Sequence, residues 1–250
     1  MQEYLLFQLY GPMASWGDTA VGEFRPSHSH PTRSAVLGLV AAALGIRRHE
    51  EDRIQALNDS CRVAVRLDWP GEAMRDYHTT QVPPQQRNVR HYTRRDELKA
   101  DKLHTILSQR DYRTDSATTI ALTSKKEPSF ALQQIADKLQ RPELPLYLGR
   151  KSCPLAFPLE PRIVQAKDLK AAFEAYPLIS EQLENFTADL HRFGLAITAS
   201  DHIRFFWEDS ETTPGMETQM IYPRRDRLRS RKRWQFDVRS EHYAAEAKGD

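Results

Sequence analysis

The chain has 250 residues, 40% of them hydrophobic, enough for a sizeable core in one large domain or two small ones. Charged residues make up 28% yet nearly cancel to a formal +2, so any attraction to polyanions must come from local clusters and not from the total. Two cysteines in unrelated contexts, Cys61 and Cys153, argue against a disulfide framework or a zinc site and fit a reducing cytoplasm, and the apolar run in MQEYLLFQLYGP is too short and interrupted for a signal peptide or a membrane span.

Tyr4 to Tyr10 is apolar and aromatic and stops at Gly11-Pro12, which predicts a buried strand closed by a turn. The exit, GPMASWG, carries Trp16 between small residues, where an indole either plugs the core edge or lets a base approach. Thr32 can cap the helix RSAVLGLVAAALG and Gly45 can end it. Its apolar residues go almost all the way round, so it is packed on both sides. Thr32, Arg33 and Ser34 open that helix, where N–H groups and dipole favour an anion, as at any helix start. After a short charged helix from Glu50, CRVAVRLDW alternates and reads as a half-buried strand.

From Gln81 to Thr114 large apolar residues become scarce, and the stretch reads as a protruding insertion. Arg87, Arg90 and Arg94 lie there with Tyr92, Tyr112, His91 and His104, a mixture suited to phosphates and bases, although four acids dilute it and a solvated helical hairpin would have the same composition. SATTIALTS then reads as a strand and SFALQQIADKLQ as an amphipathic helix. A short strand is expected around Leu155 to Val164. The C-terminal third offers the helix DLKAAFEAY, the strand-like runs LAITAS, IRFFW and RWQFDV, and a tail expected to fray after Tyr243.

With the insertion set aside, the order is βαββαβ, a ferredoxin-like (RRM-like) α+β domain over residues 1–160 with a thumb insertion at about 79–114. A small β-rich half follows at 161–250. PLYLGRKSCPLAFPL holds the chemistry best suited to a phosphate chain: Gly149 allows close approach, Arg150, Lys151 and Ser152 supply cations and a hydroxyl, and Tyr147 can stack. Nothing in it supplies a nucleophile with its base. Arg224 to Arg233 holds seven basic residues in ten, suited to contact a nucleic-acid backbone, with a solvated loop or partner-facing edge as the alternative. No P-loop, nucleophile elbow or paired CxxC is present, and His28-x-His30 lacks ligand-spaced partners, so no metal or cofactor is expected.

Four co-linear stretches, YLLFQLYGPMASWG, PTRSAVLGLVAAALGI, MRDYHTT and YLGRKSCPLAFPL, resemble the CasD family, the RAMP-type 5′-handle-binding subunits of type I-E CRISPR Cascade complexes. The resemblance covers most of the first 160 residues and is poor in the C-terminal third. It implies a non-enzymatic, cytoplasmic subunit with a ferredoxin-like body and a thumb. Its implied partners are the 5′ handle of the CRISPR guide RNA, the backbone and large subunits of Cascade and, indirectly, target DNA, with no membrane contact. Trp16, the first helix's start at Thr32, Arg33 and Ser34, the turn with Arg75, Tyr77 and His78, the thumb's Arg87, Arg90 and Arg94, and the loop of Tyr147, Gly149, Arg150, Lys151 and Ser152 would hold the RNA. In type I-C systems the equivalent protein is a metal-independent endoribonuclease, so cleavage by a base such as His78 or His91 is the alternative.

Overall fold

A computed structural model describes residues 1–85, 89–177, 202–208, 211 and 213–247. The chain starts with strand β1 (Gln2–Tyr10) and four two-residue strands, β2 (Met13–Ala14), β3 (Trp16–Gly17), β4 (Phe24–Arg25) and β5 (Ser27–His28). Helices α1 (Arg33–Ala43) and α2 (Glu51–Ser60) lead into β6 (Cys61–Trp69) and β7 (Glu72–Val82). The single turn α3 (Arg94–Glu97) precedes β8 (His104–Thr114), β9 (Ala117–Ser124), α4 (Leu132–Gln140), β10 (Arg162–Ala166) and α5 (Leu169–Glu174). Strands β11 (His202–Glu208), β12 (Met220–Ser230) and β13 (Gln235–Ala247) complete the described chain.

One seven-stranded sheet in the order β10-β1-β9-β6-β11-β13-β12 forms the body, and every neighbouring pair in it is antiparallel. Side chains alternate across β1, so Leu5, Phe7 and Leu9 join the core under α1, α2 and α4, while Tyr4 and Leu6 join a second core under α5. Each such fully buried side chain contributes roughly 1.5–3 kcal/mol. The helix-end signals behave as expected, but α1 is not packed all round, since Gly38 is exposed and Ser34, Ala35 and Ala42 are half-buried. Thr32 Oγ1 accepts from the Ala35 amide at 3.3 Å, and Gly45 takes the left-handed conformation at φ +71° just past the α1 end.

Several expectations need correction. β6 is buried on both faces, not half-buried, because α5 covers the side that carries Ala64 and Arg66. Arg66 tolerates burial because its guanidinium reaches Asp68, Thr119 and the carbonyls of Phe173 and Tyr176. The insertion is not a helical hairpin. β7 and β8 form a long β-ribbon in continuous register from Glu72↔Thr114 to Val82↔His104, with β2 and β4 also pairing with β8 in its base half, so it starts before residue 79 and includes MRDYHTT. The strand expected at Leu155 to Val164 begins only at Arg162, beyond Pro158 and Pro161. The tail does not fray at Tyr243, since Ala244 to Ala247 pair with β11. LAITAS and Arg87 lie outside the described residues.

Candidate nucleic-acid interface

The first turn of the chain and the Tyr147–Ser152 loop interlock. The Ser15 amide donates to the Leu148 carbonyl at 3.0 Å, the Leu148 amide to the Cys153 carbonyl at 2.8 Å, and the Cys153 amide to the Arg150 carbonyl at 2.9 Å. This closes a tight loop with Leu148 and Cys153 buried and Tyr147, Lys151 and Ser152 exposed. Gly149 sits at φ +82°, and a Cβ there would lie 1.8 Å from the Ser15 carbonyl oxygen, so only glycine fits. Burial raises the Cys153 thiol above its ordinary pKa, which suits a packing residue and not a nucleophile. Arg150 lies 4.7 Å over the Tyr112 ring and donates from Nη2 to the Arg25 carbonyl at 3.0 Å, while its Nη1 is buried without a partner.

The loop forms one wall of a groove of about 1080 Å³. The α1 flank with Ser34, Gly38 and Ala42 makes its floor, and β12 with the turn after it makes the opposite wall, carrying Arg224, Arg225, Arg229, Arg231 and Trp234. Gly38 and Gly17 leave the groove bare, since a Cβ at either would meet nothing within 4 Å. The three acids on this surface are already engaged: Asp18 with His28 at 3.3 Å, Asp237 with Arg229 at 3.9 Å, and Asp226 with Arg239 at 2.6 Å. The groove is therefore a basic channel with backbone-lined approaches, the arrangement that a phosphodiester chain requires.

The sequence-predicted residues separate into those the groove brings together and those it does not. Ser34, Tyr147, Gly149 and Arg150 line it, and Lys151 and Ser152 are exposed beside them. Trp16 does not stack on a ligand: it is 2% exposed within the core, the plug alternative weighed for it. Thr32 touches the groove but its hydroxyl serves the helix cap. Arg33 is removed from the site altogether. Its Nε donates to Glu208 at 2.9 Å, Nη1 to the Asn58 side chain at 2.5 Å, and Nη2 to the Asn58 and Cys61 carbonyls, all buried. The anion expected at the α1 start is supplied by the protein itself, since the Arg33 amide donates to Asp226 at 2.7 Å.

Arg75, Tyr77 and His78 lie on the ribbon and not in the groove lining. Arg75 pairs with Asp111 at 2.8 Å and His78 with Asp76 at 2.5 Å, and Tyr77 is exposed. Arg94 binds Glu97 and the Gln81 carbonyl, and Arg90 stands over Tyr92 at 5.1 Å, both at the ribbon's far end. Sequence reasoning weighed His28 only as a metal ligand and the basic run only by its charge, without placing either at the loop. His28 accepts from Arg224 at 2.7 Å, and burial, then Arg224, push its pKa down, so it stays neutral and steers that guanidinium. Arg224 in turn donates to Glu241 at 2.6 Å. Against the upward pull of burial, His30, Arg239 and Arg224 hold the Glu241 carboxyl well below the ordinary range. The signal available beforehand was the density of arginines in RRDRLRSRKR, without any indication of what they face.

Residues 4–240 match the profile of the family described as CRISPR-associated protein (Cas_Cas5). The chain belongs to that family. This Cas5-family chain is also 34% identical, over 70% of its own length and 78% of the relative's, to the CRISPR system Cascade subunit CasD of Escherichia coli (strain K12). Among solved structures it resembles a chain of a CRISPR RNA-guided surveillance complex, with a TM-score of 0.62, 25% identity and coverage of 98% of this chain and 90% of that one. A crystal structure of a Cas protein shares the fold at a TM-score of 0.60 and 23% identity, covering 98% of this chain and 94% of that one. The protein is thus a homologue of a Cascade subunit with a sheet-rich α+β fold of the Cas5 kind. Among the described residues no helix is long and apolar enough to cross a membrane.

Proposed function

We propose that this chain is a non-catalytic, cytoplasmic Cascade subunit that holds the 5′ handle of the CRISPR guide RNA and links the backbone filament to the large subunit. The observation that carries this reading is the groove itself, in which the Tyr147–Ser152 loop faces the arginines of β12 across an α1 surface left open by Gly38. Lys151 and Arg150 would hold phosphates and Tyr147 would stack on a base. We also read the body as ferredoxin-like. The order β10-β1-β9-β6, with α1 between β1 and β6 in sequence and α4 between β9 and β10, supports this, with the division near residue 160 and the small second half joined through one sheet. The β7–β8 ribbon would be the thumb. Exposed Tyr77, Tyr92, Ile106 and Leu107 suit its insertion between neighbouring backbone subunits. Contact with target DNA would be indirect, through the complex.

Replacing Arg150 and Lys151 together by Ala is expected to lower affinity for RNA transcribed from the associated repeat by about tenfold and to flatten its salt dependence. Fluorescence anisotropy across a salt series measures both, and unchanged affinity with unchanged slope would remove the loop from the interface.

Binding fits better than cleavage at MRDYHTT. Asp76 and His78 share one face of β7 while Tyr77 points to the other, so the tyrosine and histidine do not converge on one phosphodiester. Repeat RNA incubated with the purified chain in EDTA is therefore expected to stay intact. A single specific cut that disappears in His78→Ala would reverse the reading in favour of a metal-independent endoribonuclease.

A further inference from the structure

The turn joining β12 to β13 carries a cluster that the resemblance does not assign. Arg48, from the loop before α2, and Arg231 both lie against the indole of Trp234, with guanidinium carbons 4.5 Å and 4.1 Å from the ring centroid. Among the described residues neither guanidinium has a carboxylate within ion-pair distance. Glu51, the nearby acid, is used on the turn's frame: it accepts from the Ser230 hydroxyl at 2.6 Å and the Lys232 amide at 3.4 Å. Two like charges are thus held against one aromatic ring, with no ion-paired carboxylate to balance either.

Further facts tie the cluster to a ligand. Trp234 is 54% exposed although it belongs to the largest class of apolar side chains, and its backbone is held at φ +56°, a conformation that costs a non-glycine residue roughly 1–3 kcal/mol. Arg231 and Trp234 line the groove with Tyr147 of the opposite wall. Burial first, and then the charge of Arg48, push the Arg231 pKa below its ordinary value, with the Tyr147 phenol working the other way. An edge strand rich in arginine and interrupted by Pro223 is also poorly suited to pairing with another protein's strand, which leaves a polyanion as the favoured occupant.

The geometry points to a phosphodiester-binding site made by Arg48, Arg231 and Trp234, a second anchor that grips the RNA backbone on the β12–β13 turn, across the groove from Tyr147. This rests on the reading that the groove holds guide RNA. Trp234 acts as a positioning residue: each guanidinium rests against its ring and is held in place for the backbone, which freely moving arginines would match only at greater entropic expense.

The test is a salt series of anisotropy titrations with fluorescein-labelled repeat-derived handle RNA and the full chain, run on four variants. The double substitution R48A/R231A is expected to weaken binding about tenfold and to reduce the slope of log affinity against log salt by about 0.7 for each phosphate that is no longer neutralised. Trp234→Ala, which removes no charge, is expected to weaken binding in the same direction, and Trp234→Phe to restore most of it. Melting temperatures stay near wild type, because Arg48 and Trp234 are exposed and Arg231 is only half-buried. Wild-type affinity and slope in R48A/R231A, with loss in the Arg150 and Lys151 variant, overturn this site while leaving the proposed function standing. Trp234→Ala that binds like wild type overturns the role given to the indole. Weaker binding in R48A/R231A with no change in the Arg150 and Lys151 variant keeps this anchor and removes the loop from the interface. No binding by the wild-type chain at low salt brings down both readings, and reduced assembly with partner subunits without any RNA effect assigns the cluster to a protein partner instead.

Discussion

Arg33→Ala is expected to destabilise the protein by about 3–5 kcal/mol, enough to leave most single domains barely folded. The substitution takes the guanidinium away from the Glu208 carboxylate, which is 6% exposed, and strips donors from the Asn58 side chain and two buried carbonyls. Breaking a buried pair from one side costs far more than the pair contributes. Arg33→Lys recovers little, because one ammonium cannot span acceptors on α2, β6 and β11 that a planar fork reaches together. Replacing both Arg33 and Glu208 by Met recovers only part of the loss, since the Val63 amide also donates to Glu208 at 2.8 Å. Urea denaturation measures each variant. A loss below about 1 kcal/mol for Arg33→Ala, the range of an exposed ion pair, would mean that this network does not hold the fold.

Gly149→Ala should cost about 3 kcal/mol or more and remove handle-RNA binding with it. The new Cβ would meet the Ser15 oxygen at 1.8 Å and the Ser15 carbonyl carbon at 2.8 Å, and both are backbone atoms that cannot rotate aside. The loop must open, which breaks the Ser15 to Leu148 hydrogen bond and moves Tyr147, Arg150 and Lys151 out of register with the β12 wall. Gly38→Ala is the matched control. It lies mid-helix with nothing within 4 Å of its added carbon, so it should stabilise α1 by about 0.5–1 kcal/mol while placing a methyl in the groove. Thermal melts and RNA titrations on the two variants separate fold from binding. A folded, fully binding Gly149→Ala would refute the interlock as the reason for a glycine there.

Local signals made the framework readable. Thr32 and Gly45 bracket α1, the β-branched run SATTIALTS is β9, and the 3.6-residue period of SFALQQIADKLQ is α4. The ribbon escaped because both faces of β7 are largely exposed, so no hydrophobic alternation marks it as a strand. β6 looked half-buried because Arg62, Arg66 and Asp68 alternate with its apolar residues, and only a helix about a hundred positions later covers them. At the site, the sequence brought out the Tyr147–Ser152 loop but not the β12 arginines that line the groove with it. Asp226, the one acid in the basic run, is the pivot that binds Arg239 and the first amide of α1, and nothing in the run marks it as such. Arg33 and Glu208 are 175 positions apart, and no window of sequence joins them.

The position of β6 bears on how the chain emerges from the ribosome. Residues up to Ala166 already contain β10, β1, β9 and β6, but the outer side of β6 is paired by β11, which begins at His202. Until that segment is synthesised, the nascent sheet presents an apolar, hydrogen-bonding border to its surroundings, and Arg33 waits without its carboxylate. The C-terminal third therefore acts as a late molecular clasp. The stretch of synthesis before β11 arrives is when the chain is most exposed to mispairing, and when early docking by a partner or a chaperone has the most to protect.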